Sequence, residues 1–217
     1  KESWSHAANL EIVGKYFEVV DDPDNADFAV VFISSPNGGD GYSTEDRMAG
    51  GNGYMPISIQ YKPYIAENAR DTSIAGGSPF EDFTNRSYKG KKVIASNVYD
   101  MQVVIDTKAE MGLKPVIAVI NVSKPFVPGE FEKSSDAILL HCGVQNNALL
   151  EIISGNQEPS GLLPFQMPEN MRTVEEQFED TPRDMKCYTD SEGNIYDFAF
   201  GLNWNGVIND ERVSKYK

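Results

Sequence analysis

The sequence predicts an α/β fold, a three-layer α/β/α sandwich built on a mostly parallel sheet. Two observations predict it. Phe28–Ile33, Val116–Val122 and Ala137–Leu140 are short runs, apolar almost throughout and rich in β-branched residues. Such runs suit strands buried on both faces, the condition of a parallel sheet covered by helices on each side. The segments Val98–Met111 and Val144–Ser154 lie among these runs and carry apolar residues at helical spacing.

Taken in order, residues 5–17 read as a helix that leads to a short strand near Phe17–Val20. Asp21-Asp-Pro-Asp-Asn25 reads as a turn, since Asp, Asn and Pro tolerate tight bends. Strand 28–33 follows. Asn97 stands where an N-cap is needed, Asp100 lies in the first turn, and Gly112 ends the helix that Val98, Met101, Val104 and Ile105 turn inward. In the next helix Leu149, Ile152 and Ile153 face the core, and Gly155 ends it. The order β-α-β-β-α-β fits an open sandwich. Residues 48–92 differ: Gly50-Gly-Asn-Gly53, Ala75-Gly-Gly-Ser-Pro79 and many polar aromatics mark a long insertion, and long structured loops are often functional. Residues 164–208, with Pro164, Pro168 and Pro182, are similarly loop-rich.

Composition narrows the function classes. A chain of 217 residues with 40% hydrophobic content has material for one large domain or two small ones. No stretch reaches the ~20 apolar residues of a membrane span, and Lys1-Glu-Ser-Trp4 opens without the apolar core of a signal peptide. Nineteen basic against 33 acidic residues give a formal charge of −14. That charge disfavours nucleic acid and anionic membranes as partners and fits a neutral ligand. Cys142 and Cys187 match no zinc spacing and read as two inert thiols. No metal and no cofactor is expected. Asn121-Val-Ser123 has the glycosylation pattern but follows a buried-looking strand, so it reads as chance.

The stretch Ser34-Ser-Pro-Asn-Gly-Gly-Asp-Gly-Tyr-Ser-Thr-Glu-Asp-Arg47 follows the first apolar run and surrounds Asp40 with Gly38, Gly39 and Gly41. Glycine after a strand lets backbone amides approach a phosphate, but neither the dinucleotide fingerprint nor the P-loop lysine is present, and Asp40 would repel the anion. Asp40, Glu45 and Asp46 lack the alternate spacing of a calcium loop, and Asp21, Asp22, Asp24 and Asp27 read as a solvated turn. A carboxyl group on a mobile glycine backbone also suits glycosidic cleavage, which needs a proton donor and a second carboxylate. A plain turn accounts for the same residues.

Several stretches together resemble the second domain of glycoside hydrolase family 3, the β-glucosidase and β-xylosidase family. Val30-Val-Phe-Ile-Ser-Ser-Pro-Asn-Gly-Gly-Asp-Gly-Tyr42 followed by Asp46-Arg47 looks like the family's strand and its S-G-E-G-x-D-R loop. Lys114-Pro-Val-Ile-Ala-Val-Ile-Asn-Val-Ser-Lys-Pro-Phe126 looks like its strand ending in a small-residue-Pro turn. The segment 136–168, containing Pro159-Ser-Gly-Leu-Leu-Pro164, and the closing Tyr196-Asp-Phe-Ala-Phe-Gly-Leu-Asn-Trp204 resemble its later blocks. The likeness runs from about Phe17 to Val207.

The resemblance implies an α/β sandwich beside a TIM-like barrel and retaining hydrolysis of β-linked sugars in an oligosaccharide or an aryl or alkyl β-glycoside. It places the nucleophile on the barrel and the acid/base glutamate in the glycine loop. The matching position here is Asp40, one methylene shorter, and three extra residues, Ser43-Thr-Glu45, precede Asp46-Arg47, so Glu45 is the second candidate. Arg47 is a candidate to orient a carboxylate or a sugar hydroxyl, and Tyr42 to contact the sugar ring, although loop aromatics also pack locally. The family's barrel, first strand and first helix precede the region matched here, so a partial C-terminal domain is expected: a sheet short of its first strand, inactive on its own, with the N-terminal barrel as partner. The resemblance favours a periplasmic or secreted location over the cytoplasm.

The remaining residues read blandly. His141 and Cys142 are strand neighbours that point to opposite faces. His6 sits on a surface helix. Glu175-Glu176 and Glu179-Asp180 form a solvated charge run, Asp190–Asn194 a turn, and Trp204 an anchor at a domain interface.

Overall fold

The computed structural model describes residues 9–72, 86–178 and 181–216. In chain order the elements are α1 (Leu10–Val13), β1 (Ala29–Ser34), β2 (Asp40–Tyr42), α2 (Thr44–Met48), β3 (Tyr54–Ile57), β4 (Tyr64–Ile65), β5 (Lys92–Val93), α3 (Val98–Met111), β6 (Val116–Asn121), β7 (Ala137–His141), α4 (Asn146–Ile153), α5 (Met171–Glu176), β8 (Leu202–Asn203), β9 (Gly206–Val207) and α6 (Glu211–Tyr216). Three short 3-10 turns lie at Pro23–Asn25, Pro128–Glu130 and Glu132–Ser134.

The three apolar runs pair as one parallel sheet in the order β1-β6-β7. The register sets Ala29 opposite Val116 and Ser34 opposite Asn121, then Ile117 opposite Ala137 and Asn121 opposite His141. Val116, Ala118, Val119 and Ile120 of the central strand are fully buried, as a strand covered on both faces requires. On one face Val31, Ile33, Val116, Ala118 and Ile120 join Met101, Val104 and Met111 of α3 in a single core. Val119 alternates to the other face and is equally closed. α4 buries Leu149 and Leu150, packs on α1, and is tied to its end by the Tyr16 hydroxyl, which donates to Glu151 at 2.7 Å. The architecture is that of an α/β sandwich.

The strands and α3 lie within a residue of the segments expected from sequence. Other elements depart from it. Among the described residues the first helix is limited to Leu10–Val13; residues 5–8, and with them His6, lie outside the description. Phe17–Val20 joins no ladder. Val19 and Val20 stay exposed, while Phe17 packs edge-on against Phe28 at 5.4 Å, so the aromatic contact and not strand pairing orders this segment. The second long helix starts at Asn146 rather than Val144. Residues 48–92 contain β3 and β4 and reach the start of β5; β3 pairs antiparallel with β2 and β4 with β5, with residues 73–85 outside the description.

Glu175 overturns the reading of a solvated charge run. It is 5% exposed, because α5 turns Met171 and Glu175 inward together. Its carboxylate accepts from the backbone N–H of Asn68 at 3.0 Å, which docks that segment onto α5, and burial raises its pKa. Glu176 does face solvent and pairs with Arg172; Glu179 and Asp180 lie outside the description. Both cysteines are free thiols, and burial pushes that of Cys187 up to about 11. Trp204, expected as an anchor, is 62% exposed in this chain.

The sheet core makes a quantitative expectation. Ile120→Ala should cost about 2–5 kcal/mol of stability, a large-to-small change at a closed site. Leu113→Ala, on a fully exposed side chain, should stay within about 0.5 kcal/mol. Denaturant unfolding of both variants checks the contrast.

Candidate active site

Parallel α/β sheets gather functional loops at the carboxyl ends of their strands. Here the chain leaving β1 turns into a closed region: Ser35, Pro36 and Gly39 are buried. Its backbone must therefore find protein partners. Ser35 N–H donates to Asn121 O at 3.0 Å, and the Ser35 hydroxyl accepts from Ser123 N at 3.1 Å. The Ser34 carbonyl accepts from the buried Tyr61 hydroxyl at 2.6 Å. Tyr61 is held in turn by Glu130, whose carboxylate accepts the amides of Tyr61 and Lys62. Burial raises the pKa of Glu130 and the two amides oppose that rise.

Asn97 does not cap α3 as its position suggested. It makes no side-chain cap bond. Its amide instead donates to the carbonyls of Ser34 and Ser35, both at 3.2 Å, and accepts from Asn37 N at 2.8 Å. Asp100 completes the bracket, accepting from Ser34 N at 3.0 Å and from the Asn97 amide at 2.9 Å. The buried loop outcompetes the helix end, which water can reach.

Gly38 and Gly39 are required by close approach. A Cβ on Gly38, at φ +145°, would lie 2.8 Å from Ile94 O; one on Gly39 would lie 2.7 Å from Pro56 O and Val93 Cγ2. The chain then pairs as β2, with Asp40 opposite Ile57 and Tyr42 opposite Tyr54 across an irregular step. The Asp40 backbone is set by this pairing; its side chain lies outside the description. Ser43 caps α2, accepting from Asp46 N at 3.2 Å. Glu45 stands exposed in the first turn of that helix and Arg47 exposed in its last.

Tyr42 is half exposed, but its ring rests edge-on against Tyr54 at 5.8 Å and over Gly53, where a Cβ would come within 2.5 Å. Asp46 is also committed. It accepts from Lys91 Nζ at 2.6 Å and from Gly53 N at 2.8 Å, and these two donors lower its pKa. Lys91 also donates to Asn52 Oδ1 at 2.6 Å. Thus Asp40 and Tyr42 share β2, and Glu45 and Arg47 share the turn of helix that follows. Lys91, Asn52, Asn97 and Tyr61, which hold this arrangement, were not marked as site residues by any motif. A partial signal existed in Gly51 and Gly53, glycines that admit the Asp46 carboxylate and the Tyr42 ring.

No group of three or more His, Cys, Asp or Glu that would hold a metal ion occurs among the described residues. No helix among them is long and apolar enough to cross a membrane. At the end of β7, His141 Nδ1 accepts from Gly143 N at 3.2 Å.

Residues 13–204 match the family model described as the glycosyl hydrolase family 3 C-terminal domain. The chain belongs to that family. Ninety of its residues, 42% of the chain, are 32% identical to proteins named "Probable beta-glucosidase C" from Aspergillus flavus and from Aspergillus oryzae. A "Beta-glucosidase C" from Emericella nidulans is similar to the same extent. The match spans 13% of the length of the two Aspergillus relatives and 14% of the third. No solved structure matches the chain.

Two outcomes follow from the packing of this family 3 loop. Gly39→Ala should cost about 1–3 kcal/mol through overpacking, whereas Gly161→Ala, whose Cβ meets nothing within 4 Å, should stay within about 0.5 kcal/mol; thermal unfolding checks both. The folded pKa of Asp46 lies below its unfolded value, so its contribution is complete above the ordinary aspartate pKa and is lost as pH falls through the depressed one. Asp46→Asn should therefore lose less stability on acidification below about pH 4 than the unaltered chain, as read from denaturation midpoints across pH.

Proposed function

We propose that this domain serves a retaining β-glycosidase, β-glucosidase-like in substrate, and that loop 34–47 lends the group that protonates the glycosidic oxygen. The observation that carries the reading is the setting of Asp40. It sits beyond the carboxyl end of β1, on backbone pressed at Gly38 and Gly39 against Ile94, Pro56 and Val93, in the stretch that resembles the family's acid/base loop. In the reaction the donor's proton passes to the leaving oxygen as the C–O bond breaks. The anomeric carbon bonds to a carboxylate on an N-terminal TIM-like barrel, and the same loop group, now a base, takes a proton from the water that releases the sugar. The substrate is an oligosaccharide or an aryl or alkyl β-glucoside, met outside the cytoplasm. Asp40 is the first candidate for the donor and Glu45 the second; Arg47 and Tyr42 are candidates for sugar contact. Because the nucleophile belongs to the barrel in this reading, the isolated chain is inactive.

A second reading is favoured by one observation. An aspartate occupies the position where the family's loop carries glutamate, and a carboxyl one methylene shorter suits a domain that binds carbohydrate or braces its neighbour without donating the proton.

The intact protein that contains this chain decides between them. Asp40→Ala is expected to lower kcat/KM for phenyl β-glucoside by about 10²–10⁴-fold; with dinitrophenyl β-glucoside, whose leaving group departs unprotonated so that release of the glycosyl-enzyme limits the rate, azide, a small nucleophile that needs no base, is expected to restore turnover. The same loss and rescue in Glu45→Ala instead would assign the donor to Glu45. Unaltered rates in both variants would leave the bracing reading.

A further inference from the structure

The loop that carries Asp40 and Glu45 is held at both ends by one short piece of chain, residues 91–97. At its start, Lys91 Nζ lies 2.6 Å from Asp46 Oδ2 and 2.6 Å from Asn52 Oδ1. Asp46 is the residue after Glu45, so this contact fixes the first turn of α2. Asn52 carries the hold further, donating to Ser87 O at 2.6 Å and accepting from Tyr54 N at 3.1 Å. Two and three residues beyond Lys91, Val93 and Ile94 form the wall against which Gly39 and Gly38 are pressed. Beyond that wall, Ser96 N and Oγ both donate to Asn37 O. The Lys91 backbone is held as well, its carbonyl accepting from Ala66 N at 3.0 Å beside the β4–β5 ribbon.

Resting on the reading of loop 34–47 as the acid/base loop, we propose that Lys91 is its positioning residue. The ammonium does not reach the reacting atoms. It sets the distance between the glycine wall before Asp40 and the helical turn after it, and so sets where the donor's proton is delivered. Lysine suits this role because it is a compact charge with three donors, two of them used here on oxygens of different residues. The pair is largely shielded, with the side chains 21% and 27% exposed. Without Lys91, Asp46 Oδ2 keeps only the Gly53 amide and the turn is free to shift. A shift of about 1 Å in a catalytic group costs roughly 100-fold.

The test uses a property of acid catalysis. A phenolate leaving group needs the proton as its C–O bond breaks; a dinitrophenolate does not. In kcat/KM, which reports the step that breaks the C–O bond, a displaced donor therefore slows only the poorer leaving group, whereas general damage to the domain slows both. In the intact protein, Lys91→Met should lower kcat/KM for phenyl β-glucoside by about 10–100-fold and leave dinitrophenyl β-glucoside unchanged, with Lys91→Arg recovering most of the loss. Equal loss on both substrates, or loss on neither, overturns the proposal. If Lys91→Met does not fold, Asp46→Asn, which weakens the same contact, is read by the same criterion. Asp40→Ala and Glu45→Ala are run alongside. If either shows the selective loss and the Lys91 and Asp46 variants do not, the positioning role alone fails. If neither shows it, the acid/base reading of the loop fails and this inference with it.

Discussion

The backbone that leaves β1 enters a region closed to water, where an unpaired N–H or C=O costs as much as a lost hydrogen bond or more. Much of the rest of the site follows from meeting that demand. Asn97 serves three backbone groups at once, Asp100 serves a fourth, and Tyr61 doubles the hold on the Ser34 carbonyl. The Gly39 carbonyl accepts from Ser58 N at 3.0 Å. Once these partners are fixed, the chain has one course open to it. It runs against Val93 and Ile94 so closely that only glycine fits, and it emerges as β2 with Asp40 opposite Ile57. The course of the backbone into β2 thus follows in part from the demands of desolvation.

Electrostatics divides the acidic residues of the chain into two groups. Some are bound to the architecture. Asp46 is held by Lys91 and Gly53, and Asp136 by Lys108 and the Val116 amide, and in both the cationic partner is the larger cause of the lowered pKa. Glu175 is buried and Glu130 partly buried, and their pKa values rise because the charged form loses water. Others, Glu45 among them, stand in solvent. With a formal charge of −14, the chain has ample carboxylate for chemistry as well as for structure. Neutral sugars fit such a surface, since they bring no charge to be repelled.

Lys91 shows what residues 48–92 contribute to the fold. Residues 48–92 supply Asn52, Gly53 and Lys91, the strand that pairs with β2, and the segment that Glu175 receives on α5. This segment frames the loop, and the sheet supports the frame.

The scaffold and the family were legible in the amino acids alone. The runs at 28–33, 116–122 and 137–140 declared a parallel sheet because burial on both faces demands unbroken apolar composition, and the glycine cluster with the Pro-Ser-Gly-Leu-Leu-Pro block carried the resemblance. Local patterns of this kind are written in adjacent residues. Contacts between distant residues were not legible. Asn97 had the position of a helix cap, and only the packed loop, with carbonyls to satisfy, drew its amide away. Glu175 looked like one charge among several until α5 turned it toward Asn68. Asp46 and Lys91 are separated by 45 positions, and the intervening chain passes through β3 and β4 before they meet. A single sequence records residue types and local spacing; which charges meet across such a gap is decided by packing, because only the folded chain removes the water that would otherwise serve each of them.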